Sequence, residues 1–286
     1  MVPLAMAILS LLALFLAAPV ATPSEADQSE AFPPHSIADH LYYVGSKQLA
    51  SYLITTAKGH ILINSSFEST VPVIRANVEK LGFKFTDVKI LLASHAHNDH
   101  VAGCALVKQL TGAKVYVMRG DDQVVANGGK GQYFYDHRWK PCPVDRVLAD
   151  GDEVTLGDAT LVAHLTPGHT RGCTTWTMRA RDGGKTYDVV IVGSPNVNAG
   201  FRVVGNRDYP EIATDFAHSF QVWRGLPCDI FLGAHGKYYD MEAKVARMKP
   251  GAPNPFIDPQ GYRAYIDDRE KAFKAAVEAQ SKGPPP

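Results

Sequence analysis

The sequence has no excess of charge of either sign, since its 286 residues include 29 basic and 29 acidic side chains. This balance gives no electrostatic reason to expect nucleic acid or an anionic membrane surface as a partner. The middle of the chain also lacks a proline- or serine-rich linker, so we expect one domain rather than two. The hydrophobic content of 45% is ordinary for a globular protein with a sizeable core.

Cysteine is scarce, and no C-x-x-C pair occurs, which argues against a zinc site made of four thiolates. The four cysteines are Cys104, Cys142, Cys173 and Cys228. In an exported chain this even number permits two disulfides in three possible pairings, and the sequence leaves the choice open. Buried free thiols are an equally reasonable alternative in a domain of this size.

The N-terminus carries an apolar, uncharged run over residues 4–18, which is too short to span a membrane. Small residues follow it, as in a secretory signal peptide, although the usual basic residues before the run are missing. We predict a signal peptide over residues 1–26, with cleavage after Ala26 or Ala21; an uncleaved anchor is the alternative. The mature protein is then expected to be exported, to lie in the periplasm of a host with an outer membrane, and to have no stable membrane association.

The densest group of candidate metal ligands forms the pattern H-x-H-x-D-H and consists of His95, His97, Asp99 and His100. Imidazole and carboxylate groups suit zinc and similar divalent ions. The apolar run at 88–93 predicts a buried strand directly before them. If the chain stays extended past this strand, His95, His97 and Asp99 alternate onto one side. His100 then turns into the following helix, an arrangement that suits two adjacent metal ions.

Short strand-like segments and amphipathic helices recur along both halves of the chain. Strands are predicted at 41–44, 50–56, 60–64, 88–93, 114–118, 146–148, 153–156, 160–165, 174–178, 188–192 and 229–233. Helices are predicted at 71–82, 101–110, 210–224 and 259–280, with a loose arm at 27–36 and an aperiodic loop at 119–141. This pattern predicts an α/β protein with a four-layer αββα sandwich, in which helices lie outside two central sheets. We expect a site where the loops at 94–100, 166–170 and 234–236 meet.

Two further histidines extend the pattern: His169 within Thr-Pro-Gly-His-Thr, and His235 within Gly-Ala-His-Gly. Together with the H-x-H-x-D-H cluster, they resemble the metallo-β-lactamase superfamily over about residues 40–275. The resemblance implies two zinc ions per chain, the first bound by His95, His97 and His169 and the second by Asp99, His100 and His235.

The residue after the predicted strand at 188–193 narrows the resemblance. Glyoxalase II, lactonases and tRNA-processing nucleases of this superfamily place a bridging aspartate there, and other zinc β-lactamase subclasses place a cysteine. This chain has Ser194, which resembles subclass B3. Two positions depart from the pattern: Asn64 stands where the superfamily commonly has aspartate, and Asn196 where subclass B3 often has serine or threonine.

The resemblance to subclass B3 implies a monomeric enzyme that confers antibiotic resistance. It would hydrolyse the β-lactam amide bond of penicillins, cephalosporins or carbapenems with a metal-bound hydroxide. Asp99 would be catalytic and orient the nucleophile, while Ser194 and Asn196 would bind the substrate carboxylate or a metal-bound water. Because long aromatic loops commonly line binding sites, we expect residues 131–139 to cover the hydrophobic side of the substrate, with Gln132, Tyr133 and Phe134 as the contacts. The alternatives are a lactonase or thioesterase of the same fold, a zinc-binding protein without catalysis, or a single structural zinc.

Overall fold

The structure, a computed structural model, describes residues 24–283, so most of the predicted signal peptide lies outside the described residues. Its strands are β1 His35–Ala38, β2 Leu41–Tyr43, β3 Tyr52–Thr56, β4 Gly59–Ile63, β5 Val88–Leu92, β6 Lys114–Met118, β7 Arg146–Leu148, β8 Glu153–Leu156, β9 Ala159–Leu165, β10 Thr174–Asp182, β11 Lys185–Val192 and β12 Ile230–Gly233. Its α-helices are α1 Glu25–Gln28, α2 Val71–Lys80, α3 Asn98–Val101, α4 Cys104–Thr111, α5 Asp122–Ala126, α6 Ile212–Gly225, α7 Met241–Ala246 and α8 Pro259–Ser281.

The strands form two mixed sheets. Strands β1 to β7 follow one another in sequence order across the first sheet, and the second sheet has the order β12-β11-β10-β9-β8. Pairing is antiparallel from β1 to β4 and parallel from β4 to β7, while in the second sheet only β11 and β12 are parallel. Each predicted half of the chain therefore supplies one sheet.

Hydrophobic side chains fill the spaces between four layers. Ile54 and Ile61 of the first sheet share a core with Leu161 and Trp176 of the second, so the two sheets pack face to face. Apolar residues of α2 and α4 cover the outer face of the first sheet. Helices α6 and α8 cover the second sheet, where the ring of Phe273 lies 5.4 Å from that of a phenylalanine in α6. The predicted αββα sandwich is confirmed.

Three local predictions were wrong. The arm at 27–36 is not loose throughout, because His35 and Ser36 pair with β2 as an added edge strand. The predicted helix at 101–110 is divided into α3 and α4. Gly103 lies at the break, where an added Cβ would come within 2.6 Å of the Ser65 carbonyl oxygen. The aperiodic loop at 119–141 contains the short helix α5.

Hydrogen bonds join the two sheets at one edge of the sandwich. The Tyr52 hydroxyl of the first sheet donates to the Gly233 carbonyl at the end of β12, at 2.7 Å. In the opposite direction, the indole N–H of Trp176 donates to the Ala93 carbonyl just after β5, at 3.1 Å. These buried bonds fix the ends of β5 and β12 relative to each other, and both ends carry predicted ligands.

One disulfide joins Cys104, at the start of α4, to Cys142. Cys173 is a buried free thiol and Cys228 a half-buried one, so the structure has one disulfide and two free thiols, where the sequence left open two disulfides or free thiols. Within residues 24–283, no helix has the length and apolar character needed to cross a membrane.

Candidate active site

All six predicted metal ligands lie at the edge where the two sheets are joined. His95 and His97 follow β5, while His169 lies in the turn between β9 and β10, and His235 follows β12. The expectation of an extended chain through Asp99 was wrong. Asp99 and His100 lie in the first turn of α3, whose preceding residue His97 is still extended. Because the chain turns here, Asp99 and His100 lie next to His235 while His100 also stays close to His95.

The first group of ligands consists of His95, His97 and His169, all buried. One ring nitrogen of each lies within 4.8 Å of the others. The ring centroids of His95 and His169 are 4.6 Å apart, and the two rings meet edge to face. Three imidazoles at this mutual distance can share one divalent ion.

The second group consists of Asp99, His100 and His235. The Oδ2 atom of Asp99 lies 3.2 Å from His100 Nε2 and 3.6 Å from His235 Nε2. The two imidazole Nε2 atoms are 3.2 Å from each other. His95 lies beside this group as well, with its ring centroid 4.2 Å from that of His100. The two groups are therefore adjacent, as an arrangement of two neighbouring metal ions requires.

The electrostatics of the site leave four of the histidines and Asp99 in their metal-binding protonation states. Burial and the neighbouring imidazoles lower the pKa of His95 and of His97 well below the ordinary value. Burial also lowers the pKa of His169 to about 4 and that of His235 to about 3. Burial alone would raise the pKa of Asp99, but the nearby histidines hold it well below its usual range. At neutral pH these four imidazoles are neutral and the carboxylate is ionised, as metal binding requires.

Unpartnered nitrogens in the cluster also fit metal binding. The Nδ1 atoms of His95 and His100 are buried and have no hydrogen-bond partner among the described residues. Buried polar atoms in proteins are nearly always bonded, so several closely packed imidazoles with open nitrogens would be costly without a ligand. The donor set, five imidazoles and one carboxylate, is the chemistry that zinc accepts.

A hydrogen bond to the backbone fixes the orientation of the His169 ring. Its Nδ1 donates to the backbone carbonyl of Asn196 at 2.8 Å, which leaves Nε2 as the free lone pair. The preceding Gly168 has φ +122°, and a Cβ there would lie 2.6 Å from the ring of Phe216. The Thr-Pro-Gly-His-Thr sequence thus provides the tight turn that the packing of α6 demands.

The side chain of Asn64 holds the start of the loop that carries His95 and His97. Its Oδ1 accepts from the backbone N–H of Ser94 at 2.8 Å, and its Nδ2 donates to the Ala50 carbonyl at 3.2 Å. Ser94 immediately precedes His95. The Asn64 amide therefore connects the residue before His95 to the segment at Ala50 through both its oxygen and its nitrogen. Its φ of 66° is one that asparagine tolerates.

Five of the six ligands, all except His100, line a cleft of about 510 Å³. Its walls include several polar and aromatic side chains: Asn98, Tyr135, His137, Asn196, Asn198, Lys237 and Tyr238. Among the described residues of these walls, Lys237 is the one lysine or arginine, and it is exposed to solvent. A cleft with metal ligands at its base and a cation at its rim suits a small substrate that carries a carboxylate.

Of the predicted substrate contacts, Asn196 lines the cleft and Ser194 does not. Ser194 is fully buried, with its hydroxyl 3.2 Å from that of Tyr238. The Asn196 side-chain amide donates to the same Tyr238 hydroxyl at 2.8 Å. The structure therefore presents Tyr238 and Asn196 to the cleft and places Ser194 behind them.

The aromatic loop reaches the cleft through a residue next to those predicted. Gln132, Tyr133 and Phe134 line a separate small cavity of about 20 Å³. Tyr135 lines the cleft, and its ring meets that of His97 edge to face at 4.9 Å. His137, which stacks on Tyr135, lies 2.9 Å from the Asn98 side chain and so attaches the loop to α3.

Sequence reasoning missed Tyr238, Lys237 and Asp121, and it included Tyr135 only as part of the range 131–139. Tyr238 and Lys237 lie within three residues of His235, and this proximity could have identified them. No sequence signal marks Asp121, since aspartate after a strand is common in loops.

Comparison with known proteins agrees with this geometry. A family model described as the metallo-beta-lactamase superfamily matches residues 45–182. The native FEZ-1 metallo-beta-lactamase from Legionella gormanii is 50% identical, with 89% of this chain and 98% of that chain covered and a TM-score of 0.87. BJP-1, a subclass B3 metallo-beta-lactamase of Bradyrhizobium japonicum, is 37% identical, with coverages of 89% and 97% and a TM-score of 0.84. LRA-12, a class B3 di-zinc metallo-beta-lactamase from an Alaskan soil metagenome, is 37% identical, with coverages of 90% and 98% and a TM-score of 0.83.

The chain therefore belongs to the metallo-β-lactamase superfamily of hydrolases, and its resemblance to subclass B3 is confirmed. A curated relative, the hydroxyacylglutathione hydrolase of Cereibacter sphaeroides, is 34% identical over 101 residues. That match covers 35% of this chain and 32% of the relative, so the chain spans about a third of the length of the curated relatives it matches.

Proposed function

We propose that this protein hydrolyses the amide bond of β-lactam antibiotics. The observation that carries the proposal is the convergence of six donor side chains, five of which line an open cleft. The solved relatives named as metallo-beta-lactamases support it, because the similarity extends over nearly their whole length. The hydroxyacylglutathione hydrolases, in contrast, match over about a third of theirs.

Two zinc ions fit the donor set. His95, His97 and His169 would bind one ion, and Asp99, His100 and His235 the other. The chemistry that such ions supply is activation of a water molecule and polarisation of a carbonyl oxygen. The two groups lie side by side, so both functions would act on one scissile bond.

Asp99 is the catalytic residue of the proposal. Its carboxylate is ionised at neutral pH, lies beside His100 and His235, and lines the cleft. In that position the carboxylate can accept a hydrogen bond from the attacking water and orient it toward the lactam carbonyl. The carboxylate also contributes a ligand atom, so its replacement removes two functions together.

Lys237, Asn196 and Tyr238 would bind the carboxylate next to the lactam ring. Lys237 supplies the positive charge, and the side chains of Asn196 and Tyr238 are already joined by a hydrogen bond. Burial raises the pKa of the Tyr238 phenol, which keeps it protonated and able to donate. Ser194 then acts through Tyr238, by holding its hydroxyl, and Tyr135 covers the apolar side of the substrate.

The proposal is tested by hydrolysis of a penicillin, a cephalosporin and a carbapenem by purified protein. The expected result is turnover that a chelator abolishes and added zinc restores. Turnover unaffected by the chelator would contradict the metal-dependent mechanism, and zinc binding without turnover of any substrate would favour a non-catalytic zinc protein.

A thioesterase is the second candidate, because the curated relatives include hydroxyacylglutathione hydrolases. Its test is hydrolysis of a glutathione thioester under the same conditions, with an acyl-homoserine lactone added to cover lactonases. Turnover of either compound without turnover of any lactam would replace the β-lactamase proposal.

We also propose that the protein is exported, with residues 1–26 as its signal peptide, and that it acts as a monomer. The Cys104–Cys142 disulfide supports export, because disulfides persist in oxidising compartments such as the periplasm. Sequencing the N-terminus of the mature protein from the periplasmic fraction would test this. An intact N-terminus in the cytoplasmic fraction would contradict it.

A further inference from the structure

A buried carboxylate connects the two loops that carry the first group of ligands. Asp121 follows β6, is 2% exposed, and does not line the cleft. Its Oδ2 accepts from the backbone N–H of Ala96 at 2.7 Å and from the Thr170 hydroxyl at 2.7 Å. Its Oδ1 accepts from the backbone N–H of Gly172 at 2.8 Å. Three donors thus converge on one carboxylate from two different loops.

The donors to Asp121 lie next to the ligands of the first group in the sequence. Ala96 stands between His95 and His97, and Thr170 directly follows His169. A single rigid side chain is therefore bonded next to all three ligands of the first group. The mutual distance of these imidazoles depends on how closely the two loops approach, and Asp121 is bonded to both.

The surroundings of Asp121 are built for a carboxylate. A Cβ on Gly172 would lie 2.5 Å from the Asp121 backbone nitrogen, so the second loop can approach this closely because residue 172 is glycine. All three partners are donors, which matches the two acceptor oxygens of an ionised carboxyl group. An amide in the same place would direct an N–H group at one of these N–H or O–H donors.

We propose that Asp121 is a positioning residue that sets the spacing of His95, His97 and His169 and thereby the affinity of the first group for a metal ion. It does so without ligating the ion or contacting the substrate. This inference rests on the metal-binding part of the proposed function and is independent of which substrate is hydrolysed.

The test compares Asp121→Asn with the unchanged protein and with Asp122→Asn. Asp122 is a matched control, since it is the adjacent buried carboxylate but accepts from Gly120 and Gln123, on its own turn. Zinc affinity of each metal-free protein is measured by competition with a chromophoric chelator. In Asp121→Asn we expect one of the two ions to bind roughly 10- to 100-fold more weakly, which is the usual effect of removing a residue that orients metal ligands. The other ion should bind within about threefold of the unchanged protein, as should both ions in Asp122→Asn.

A second variant covers the case in which Asp121→Asn fails to fold. Thr170→Val removes one of the three bonds and leaves the carboxylate in place, so we expect a smaller weakening of the same ion, about three- to tenfold. Turnover of either variant should recover at saturating zinc, because the ligands themselves are intact.

The inference is overturned if both variants bind two ions with unchanged affinity, or if both ions are weakened equally. Equal weakening of both ions would indicate general destabilisation.

Failure of the inference about Asp121 is distinct from failure of the proposed function. Zinc bound tightly by the unchanged protein and weakly by Asp121→Asn, without lactam turnover by either, would refute the β-lactamase proposal and leave the role of Asp121 supported.

Discussion

Replacement of Asn64 by alanine tests how the first ligand loop is supported. The side chain is 1% exposed, and its amide accepts from the Ser94 N–H and donates to the Ala50 carbonyl. Alanine would leave both backbone groups buried without these partners. It would also place a residue that avoids left-handed backbone at a φ of 66°.

The structure gives the size of the effect. Each buried group left unpaired costs roughly 1–3 kcal/mol, and a left-handed conformation costs a residue other than glycine or asparagine about 1 kcal/mol. The lower end of this sum is about 3 kcal/mol, which corresponds to a fall in melting temperature of about 6–12 °C for a chain of this size. Asn64→Asp keeps the bond from Ser94 and loses the bond to Ala50, so it should lose less stability than Asn64→Ala.

Urea unfolding in the presence of chelator measures these changes in the metal-free protein, so that altered metal binding does not contribute. Asn127→Ala serves as the control, since Asn127 is exposed and lies at the end of α5. The control should change the free energy of unfolding by less than about 0.5 kcal/mol. A loss below about 1 kcal/mol for Asn64→Ala, or one no larger than that of the control, would refute the supporting role of this amide.

Three further predictions concern the disulfide, the rim of the cleft and a buried histidine. Thiol titration of the denatured protein should find two free thiols per chain without reduction and four after it, and four without reduction would contradict the Cys104–Cys142 pairing. The double variant Cys104→Ser, Cys142→Ser should lower the free energy of unfolding by about 3–4 kcal/mol, because the disulfide closes a loop with a sequence separation of 38 residues. In low salt, Lys237→Ala should raise KM for a carboxylated lactam about three- to tenfold and leave kcat little changed. The control Lys58→Ala, at a distant turn, should change neither constant, and equal KM values for the two variants would contradict the role of Lys237. Burial lowers the pKa of His35 below its ordinary 6.5, so the stability that the neutral ring contributes is present above about pH 6.5 and is lost as the pH falls toward the folded-state pKa. Between pH 7 and pH 5, His35→Phe should therefore lose less stability than the unchanged protein, by at most about 1.4 kcal/mol per pH unit. Urea unfolding at each pH measures this difference, and identical pH profiles would contradict it.

Much of the fold follows from local sequence patterns. The strand β6 has the bounds that its alternating apolar residues predict, and α6 and α8 differ from prediction by one or two residues. The sandwich follows as well, because amphipathic helices between strand-rich segments need a sheet face to cover. These predictions depend on periodicity, which a single sequence displays directly.

What the sequence could not give depends on contacts between distant segments. β1 is an edge strand that follows two prolines, and its pairing with β2 is a tertiary interaction that its composition does not indicate. The break between α3 and α4 arises because the backbone at Gly103 packs against the loop at Ser65. The Cys104–Cys142 pairing likewise needs the fold, since spacing alone permits three pairings.

The candidate site shows the same division. His95, His97, Asp99 and His100 could be named from their close spacing on the chain, whereas His169 and His235 could be named only from the resemblance of their motifs to the superfamily. The roles of Ser194 and Tyr238 could not, since one hydroxyl lies behind the other and only packing decides which faces the cleft. Asp121 is the extreme case, because its partners Ala96 and Gly172 contribute backbone groups that no residue type reveals.

The most direct test of the metal site is native mass spectrometry of purified protein loaded with zinc, combined with turnover of one carbapenem. We predict two zinc ions per chain in the unchanged protein, one in His169→Ala and one in His235→Ala, with turnover falling by orders of magnitude in both variants. A single ion in the unchanged protein, or full turnover by a variant that has lost an ion, would contradict the account of two adjacent ions acting on one bond.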